Sequence, residues 1–505
     1  MVAQINTVTF HGIEVVDVNV QAHFSPGMPA FSLVGLPDKT IAESRERIRA
    51  ALHSIGLALP SQRIIVNLSP ADLVKEGSHF DLPIAMALLI NMGVLSEEEL
   101  KNYLILGELA LDGSLVQVNG VLPAAIGANE RNYGIICPDI NGGEAAWSGN
   151  ANIIAAKNIV QLINHLKERQ TIAQPKAKAS TAIQTNLLDI KDIKGQETAK
   201  RALEIAASGG HNMMMSGPPG AGKSMLAARM ATILPEMTAN EILECSMIAS
   251  IAGEINDGQL KTTRPFRSPH HSCSMPAMVG GGASKRVMPG EISLAHNGVL
   301  FLDELPEFPR VVVDSLRQPI EEGKINISRA NYHVTYPAKF QLIAAMNPCR
   351  CGFLGDTERS CNKAPRCGAE YQSKISGPFM DRIDIYLEVS GNSINEIIHS
   401  KESEDSAVIA KRVQAAREIQ IKRYKDTGIK NNSELHGNLI KEFAEPTPEA
   451  KKLLHDAAEK MRLSMRGYNR ILKLARSIAD LTQEEQINKS HIGEAINYRR
   501  QWYNT

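Results

Sequence analysis

The stretch Gly217-Pro-Pro-Gly-Ala-Gly-Lys-Ser224 decides the fold of this 505-residue chain. It fits the pattern G-x-x-x-x-G-K-[ST] at every fixed position. A short apolar run (212–216) precedes it, and residues 223–234 follow with apolar side chains at helical spacing. A strand, a glycine-rich loop and a helix in this order form a phosphate-binding loop, in which backbone N–H groups and the helix N-terminus face the phosphates. The sequence therefore predicts an α/β nucleotide-binding domain.

Every residue of this loop is a predicted ATP contact. Lys223 is expected to reach the β- and γ-phosphates, and the hydroxyl of Ser224 is expected to hold Mg²⁺. The full set of predicted contacts is Gly217, Pro218, Pro219, Gly220, Ala221, Gly222, Lys223 and Ser224.

Acidic and amide side chains end two further apolar runs. The run Gly298-Val-Leu-Phe-Leu302 is typical of a strand buried on both faces, and Asp303 and Glu304 follow it directly. Because ligands bind at the carboxyl ends of parallel strands, Asp303 is a predicted nucleotide and Mg²⁺ ligand and Glu304 the residue that polarises the attacking water. A third apolar run (340–346) ends at Asn347, whose amide could orient that water. Taken alone, the two acids could be solvated loop residues and Asn347 a turn residue.

The composition excludes several classes of protein. Hydrophobic residues at 43% and charged residues at 22% are globular values. The longest apolar stretch (83–90) is far shorter than the roughly 20 residues of a membrane span, and the start shows no secretory signal, so we expect a cytoplasmic protein without membrane contact. Lys and Arg (55) balance Asp and Glu (55), which excludes a general basic field but leaves local basic surfaces open.

Four blocks follow one another along the chain. Residues 1–168 alternate β-rich runs with helical stretches, and residues 169–186 are small and polar, as in a linker. Residues 187–390 alternate strands and helices around the phosphate-binding loop. Residues 391–505 are rich in Ala, Glu, Lys and Leu and are expected to be helical.

Four of the seven cysteines lie close together in sequence: Cys349, Cys351, Cys361 and Cys367. Four thiolates suit a tetrahedral structural zinc ion, which would close a loop (349–367) that has little core of its own. The spacing departs from paired C-x-x-C knuckles, and four reduced thiols in a loop are the alternative. The remaining Cys137, Cys245 and Cys273 are expected to be small apolar core residues.

Two longer stretches carry a family resemblance. Pro289–Pro306, with Arg264–His271 before it, resembles the ComM/YifB family of bacterial AAA+ ATPases, which are related to the magnesium-chelatase motor subunit. The resemblance extends over nearly the whole chain through Leu316–Glu321, Ala345–Cys349, Asp381–Asp384 and Met465–Tyr468.

The resemblance implies an AAA+ core with inserted hairpins, a C-terminal helical lid and a homo-hexameric ring with its ATP sites between subunits. Asn347 then matches the sensor-1 position and Arg466 the sensor-2 position on the lid. Arg382 resembles the arginine finger, which stabilises the transferring phosphoryl group of a neighbouring subunit. Read without the family, Arg382 could pair locally with its flanking aspartates, and Arg466 would be a surface residue.

The family's core also carries two inserted hairpins that face the pore. The first would fall in residues 266–286 and the second in residues 324–336. Basic side chains there would contact DNA phosphates without reading sequence, or they could pair only within the ring. The candidates are Arg267, His270, His271, Lys285, Arg286, Lys324 and Arg329.

Residues 76–87 and 107–115 are similar to the Lon protease domain. Asp81 occupies the position of the nucleophile, and no Lys lies between Lys101 and Lys157, where the base is expected. A carboxylate cannot replace the hydroxyl in a Ser–Lys mechanism. We therefore expect a Lon-protease-like α/β domain that is not proteolytic.

Together these features predict an ATP-dependent hexameric DNA helicase. The family implies that it drives branch migration when incoming DNA is integrated in natural transformation, with single- and double-stranded DNA in the pore and recombination proteins as candidate partners. Three alternatives are open: a chelatase-type motor that acts on a partner protein, a Lon-like peptidase, and a DNA-binding switch in which ATP controls only assembly.

Overall fold

The computed structural model describes residues 2–178, 188–281, 287–329, 332–354, 361–390 and 404–499. These residues form an N-terminal unit (2–178), a central unit (188–390) and a C-terminal set of helices (404–499), each with buried apolar side chains. The α/β class predicted for the first two units and the helical character predicted for the third are confirmed.

The N-terminal unit is a mixed sheet covered by helices. Its strands are β1 (Val2–His11), β2 (Glu14–Ser25), β3 (Ala30–Val34), β4 (Arg63–Ser69), β5 (Tyr103–Ile105), β6 (Glu108–Leu109), β7 (Leu115–Val116), β8 (Gly134–Pro138) and β9 (Ile153–Ala156). Its helices are α1 (Lys39–Ser54), α2 (Asp81–Asn91), α3 (Val121–Glu130), α4 (Gly142–Ala145) and α5 (Ile159–Leu166). Seven strands form the sheet in the order β3-β4-β2-β1-β5-β8-β9, and β6 and β7 form a separate hairpin. Helix α2 is buried from Leu82 to Ile90 because it packs between this sheet and α1.

The central unit is built on a parallel sheet. Its strands are β10 (Met213–Ser216), β11 (Phe266–Arg267), β12 (Gly280–Gly281), β13 (Met288–Pro289), β14 (Val299–Leu302), β15 (Lys324–Arg329), β16 (Tyr332–Pro337), β17 (Gln341–Met346) and β18 (Ile385–Glu388). Its helices are α6 (Glu197–Gly209), α7 (Lys223–Ile233), α8 (Ala239–Ala252), α9 (Met275–Val279), α10 (Glu291–Leu294), α11 (Arg310–Ser315), α12 (Arg317–Glu322), α13 (Arg366–Gln372) and α14 (Gly377–Met380).

Five of these strands pair in the order β11-β14-β17-β10-β18, and every pairing is parallel. Strands β10, β14 and β17 are buried along their whole length, as expected for apolar strands with helices on both faces. Because these three are neighbours, the residues that follow them meet at one edge of the sheet. This arrangement places the candidate site.

The C-terminal helices pack on the central unit. They are α15 (Ser406–Arg423), α16 (Asn438–Phe443), α17 (Pro448–Lys460), α18 (Met465–Leu481) and α19 (Lys489–Asn497). Helix α15 contacts α6 and α7, and α18 contacts α6, so that one apolar core is continuous between the two units. Over the described ranges, no helix combines the length and the apolar character that crossing a membrane would require.

Helix α8 joins the N-terminal unit to the central unit. The hydroxyl of Ser250 in α8 donates to the buried carboxyl group of Glu144, and the indole N–H of Trp147 donates to the carbonyl of Gly258 at 3.0 Å. Burial raises the pKa of Glu144, although hydrogen bonds from Ser250 and Asn141 oppose the shift. The two units are therefore held by a buried polar contact as well as by apolar packing.

Candidate functional site

The phosphate-binding loop connects the end of β10 to α7, and its Lys223 forms hydrogen bonds back to the start of the loop. The Nζ atom of Lys223 donates to the carbonyls of Gly217 (2.7 Å) and Pro218 (2.9 Å) and to Oδ1 of Asn347 (3.0 Å). Burial lowers the pKa of Lys223, and the negative charges of Asp303 and Glu304 oppose that shift. The buried ammonium group of Lys223 thus donates hydrogen bonds to three uncharged oxygens. This arrangement suits a site in which phosphate oxygens replace those three acceptors.

Space for the phosphates lies over the glycines of the loop. Gly220 (φ +77°) and Gly222 (φ +84°) adopt left-handed backbone, and a Cβ atom added at either would meet no atom within 4 Å. The first N–H groups of α7 have no intrahelical acceptor and therefore suit an anion in this space.

Asp303 lies beside the first turn of α7. The hydroxyl of Ser224 donates to Oδ2 of Asp303 at 2.6 Å, and Oδ1 of Asp303 accepts the backbone N–H of Glu304 at 2.9 Å. A hydroxyl and a carboxylate in contact beside an anion site are the hard oxygen ligands that suit Mg²⁺. The residues present thus fit the metal that the sequence predicts.

Glu304 follows Asp303 in left-handed backbone (φ +51°), and its side chain is 51% exposed. The carboxylate therefore remains accessible to water. Asn347 follows β17, the strand between β14 and β10, and lies beside Lys223. The structure thus brings together the five strand-end and loop residues that the sequence had selected separately: Lys223, Ser224, Asp303, Glu304 and Asn347.

His271, which was predicted to contact DNA, lies next to Glu304. Its Nδ1 atom lies 3.4 Å from Oε2 of Glu304, and its ring lies against that of His270 in a tilted arrangement, with 4.0 Å between the centroids. His271 comes from the segment after β11, the strand that pairs with β14, so the contact arises only when the sheet forms. No local signal in the sequence indicates it.

The hairpin expected in residues 266–286 does not begin at Arg267, because this residue lies in a strand that pairs parallel with β14. Arg267 lies in β11, the outermost strand of the central sheet. Its Nε atom is 2.6 Å from Glu291, and its Nη1 atom is 3.2 Å from Glu254. Both carboxylates raise the pKa of Arg267, the hydrogen bond with Glu291 contributing most. Its charge is thus compensated within the chain, and a contact of Arg267 with DNA stays a prediction.

The other DNA candidates have different surroundings. The predicted second hairpin is present as β15 and β16, which pair antiparallel from Lys324–Pro337 to Arg329–Tyr332. Lys324 is exposed at its base, and Arg329 ends β15 at its tip, where its side chain lies outside the described part of the chain. Lys285 and Arg286 also lie outside the described residues.

Arg382 is held within its own chain. Its Nη2 atom lies 2.5 Å from Glu321, Nε donates to the carbonyl of Arg317 at 3.3 Å, and Nη1 donates to the carbonyl of Pro378. The side chain is 11% exposed and lines an open cavity next to α12. Its partner is Glu321 and neither flanking aspartate, since the adjacent Asp384 contacts His211 and Arg470 instead.

The position of Arg382 excludes a contact with the phosphate-binding loop of the same chain. Arg382 precedes β18, whereas Gly217 follows β10, and these two strands are parallel neighbours. The two residues therefore lie at opposite edges of the sheet. If Arg382 is an arginine finger, it would therefore have to act on the site of another copy.

Arg466 is exposed near the start of α18. One turn later, Arg470 donates to the carbonyl of Ile383 at 2.8 Å, which places this part of α18 at the amino end of β18. Arg466 thus lies on the side of Arg382, and within the described residues no contact joins it to Lys223.

The cysteine loop forms a compact thiol group. The Sγ atoms of Cys349, Cys351 and Cys367 lie within 4.8 Å of one another, and those of Cys349 and Cys351 are 3.0 Å apart. Cys361 is outside this group of three but hydrogen-bonds with Cys351 and Cys367. A hydrogen bond with Cys349 is the main cause that lowers the pKa of Cys351 to about 6, whereas burial raises that of Cys367 to about 12. Three thiols within 4.8 Å of one another are compatible with a zinc ion, whose tetrahedral sulfur ligands lie roughly 3.8 Å apart.

Asp81 occupies the position of the Lon nucleophile without any means of acyl transfer. It is fully buried at the start of α2, and Arg47 holds its two oxygens at 2.6 and 2.9 Å. The nearby hydroxyl of Ser78 donates to Glu108, a carboxylate and not a lysine. This is a structural ion pair and does not support a peptidase.

The chain is similar in sequence to magnesium-chelatase subunits and to bacterial proteins of its own length. Three family descriptions match successive parts of the chain: "Subunit ChlI of Mg-chelatase" at residues 20–141, "Magnesium chelatase, subunit ChlI" at 189–397 and "Magnesium chelatase, subunit ChlI C-terminal" at 403–499. The chain is 43% identical to the competence protein ComM of Haemophilus influenzae over 494 residues and 42% identical to the uncharacterized protein YifB of Salmonella typhimurium over 489 residues, in both cases 97% of this chain and 95% of the relative. The magnesium-chelatase 38 kDa subunit of Rhodobacter capsulatus is 27% identical over 35% of this chain and 55% of its own length.

Proposed function

The chain belongs to the ComM/YifB family of magnesium-chelatase-like AAA+ ATPases, and from this membership we propose that it is an ATP-driven DNA motor. We propose that six copies enclose DNA and that ATP hydrolysis drives branch migration during the integration of DNA in natural transformation. The observation that carries the proposal is the separation of Arg382 from the phosphate-binding loop at opposite edges of one sheet. A site divided in this way needs a second copy, as a ring provides. The relative named as a competence protein supports the biological setting.

In the proposed cycle, the phosphates of ATP take the place of the three oxygens that Lys223 now contacts. Mg²⁺, held by Ser224 and Asp303, would neutralise the charge that develops on the phosphates. Glu304 accepts a proton from the attacking water, and Asn347 orients that water. Arg382 of the neighbouring copy stabilises the phosphoryl group in transfer. Arg466 lies on the same side as Arg382 and would approach the same neighbouring site.

DNA contact is assigned to the β15–β16 hairpin, with Lys324 at its base and Arg329 at its tip, and to Lys285, Arg286 and His270. These groups can grip phosphates although the chain as a whole carries no net charge, because only the surface that lines the channel needs to be basic. The division into an N-terminal domain (1–168), a linker (169–186), an ATPase core (187–390) and a lid (391–505) is part of this proposal. We also propose that the four cysteines hold a structural zinc ion.

The proposal is tested by displacement of a labelled strand from a branched DNA in the presence of ATP. Wild type is expected to displace the strand, and Lys223→Ala to fall below detection, since Lys223 is the one ammonium group among the described residues that contacts both the loop and Asn347. Lys452→Ala, which removes an exposed lysine of α17, is the matched control and should behave as wild type. Hydrolysis that is indifferent to DNA but stimulated by a partner protein would instead favour a chelatase-type motor, which the family descriptions keep as the second candidate.

His271 provides a second prediction. We expect His271→Ala to lower the rate of DNA-free ATP hydrolysis about tenfold with little change in KM, because the carboxylate of Glu304 loses the group that orients it. His271→Asn keeps a hydrogen-bond donor and should recover part of the rate. His270→Ala is the matched control, since the ring of His270 contacts that of His271 and no contact with Glu304 is seen among the described atoms. If the two alanine variants lower the rate of DNA-stimulated hydrolysis equally and leave DNA-free hydrolysis unchanged, His271 is a DNA-contacting residue instead.

A further inference from the structure

The cysteine loop packs directly on the phosphate-binding loop. Gly352 lies between Cys351 and the rest of the loop in left-handed backbone (φ +86°), and a Cβ atom there would come within 2.6 Å of Cγ and Cδ of Pro219. The backbone of Gly352 therefore touches the proline ring, and only glycine allows this approach. Pro219 is one of the residues that shape the space for the phosphates.

The same loop is tied to the candidate site at its other end. Cys349 follows Asn347 by two residues, and Oδ1 of Asn347 accepts the hydrogen bond of Lys223. Between them, the carbonyl of Pro348 accepts a hydrogen bond at 3.1 Å from Gln372 of α13, the helix that also carries Cys367. The thiol group thus connects the segment after Asn347, the start of α13 and the surface that covers Pro219.

The segment that carries Cys349 and Cys351 has no regular secondary structure. Residues 347–354 contain no helix or strand, and apart from Cys349 and Gly352 they are only partly buried or exposed. Outside helices and strands, cross-links between side chains contribute more to holding a segment in one conformation. Here the group of thiols is positioned to supply that cross-link.

We propose that a metal ion bound by Cys349, Cys351 and Cys367, with Cys361 as the fourth ligand, fixes residues 349–354 against Pro219, so that metal loading controls nucleotide affinity. The metal would be zinc or another ion that prefers thiolates. The cysteine group would then serve the nucleotide site as well as the local fold. This inference rests on the ATP site proposed above and is independent of DNA binding and of ring assembly.

The test compares metal-loaded protein with protein stripped by a chelator under reducing conditions. Metal released from the thiols is measured with a colorimetric zinc indicator, and affinity is measured by titration with a fluorescent ATP analogue. We expect one zinc ion per loaded chain, an affinity at least about tenfold lower after stripping, and recovery on adding zinc, since a small displacement of catalytic-site groups can cost up to about a hundredfold. Equal affinities of the two forms, or a loaded chain without metal, would overturn the inference.

A variant that keeps all four thiols separates the contact from general loss of structure. Gly352→Ala is expected to bind zinc normally but to bind the ATP analogue several-fold more weakly, because the new methyl group pushes Pro219 away. Gly428→Ala is the matched control: its backbone is equally left-handed (φ +77°), but nothing lies within 4 Å of the added atom. If Gly352→Ala binds nucleotide as tightly as Gly428→Ala does, the proposed coupling between the cysteine loop and Pro219 is wrong, whereas the proposed ATP site is not contradicted. If loaded wild type binds no nucleotide, the proposed ATP site itself fails.

Discussion

Arg382→Ala is expected to lower ATP hydrolysis by the assembled protein by about a thousandfold or more while leaving ATP affinity nearly unchanged. Arginine fingers act on the charge of the transition state and contribute factors of roughly 10³–10⁵. In the proposed ring, the site that loses the finger would belong to another copy, because Arg382 precedes β18 whereas Gly217 follows the parallel strand β10. Affinity is set mainly by Lys223 and the loop of the subunit that binds ATP. The measurements are steady-state hydrolysis and binding of a fluorescent ATP analogue at one protein concentration.

Mixing two inactive variants tests the shared site directly. In rings that combine Arg382→Ala with Lys223→Ala, an intact loop in one subunit can meet an intact finger in the next. Random mixing restores such pairs at about one quarter of the interfaces, so hydrolysis should reappear. Arg45→Ala removes an exposed arginine of the N-terminal unit and serves as the control. Full hydrolysis by monomeric Arg382→Ala would contradict the proposal.

The finger must leave its present partner to act. In the single chain, all three nitrogen positions of Arg382 are engaged by Glu321, Arg317 and Pro378. The contact with Glu321 is the ionic one, and the open cavity beside it gives the guanidinium room to move. A ring therefore has to supply an anion that competes with Glu321, and the phosphates of the neighbouring nucleotide are such an anion.

The phosphate site could be predicted from the sequence because its parts are local. The loop from Gly217 to Ser224 carries its own strand, turn and helix start, and Asp303 and Asn347 follow strands whose burial is visible as unbroken apolar runs. The parallel order of these strands then places their ends together. The fold class and the β15–β16 hairpin followed from the same patterns and from the family resemblance.

Contacts between distant segments could not be predicted in this way. Arg267 looked like a free basic residue, yet Glu254, just after α8, and Glu291 of α10 compensate its charge. His271 meets Glu304 only because β11 pairs with β14. The packing of Gly352 on Pro219 likewise depends on how an irregular loop returns to the sheet edge. Such pairs have no fixed spacing in sequence, so residue type alone could not indicate the partners of these two basic side chains.

Glu304→Gln is expected to separate ATP binding from hydrolysis. Gln keeps the size of Glu but cannot accept the proton of the attacking water, and general-base groups contribute factors of about 10²–10⁴. The contacts of Lys223 and the pair of Ser224 with Asp303 do not involve this side chain, so nucleotide should still bind. Glu307→Gln is the matched control, since Glu307 lies in the next turn and its carboxylate faces Lys374 at 3.5 Å.

The same variant distinguishes a motor from a switch. If ATP binding alone drives function, Glu304→Gln should displace a labelled strand as wild type does, because a switch needs only the bound state. A motor needs repeated hydrolysis, so the variant should load onto DNA with ATP and stall there, with strand displacement reduced in proportion to hydrolysis. Retention on DNA is measured by co-sedimentation or filter binding, and turnover by phosphate release. Displacement at the wild-type rate with hydrolysis reduced a hundredfold would exclude the motor, since no chemical step would then be coupled to movement.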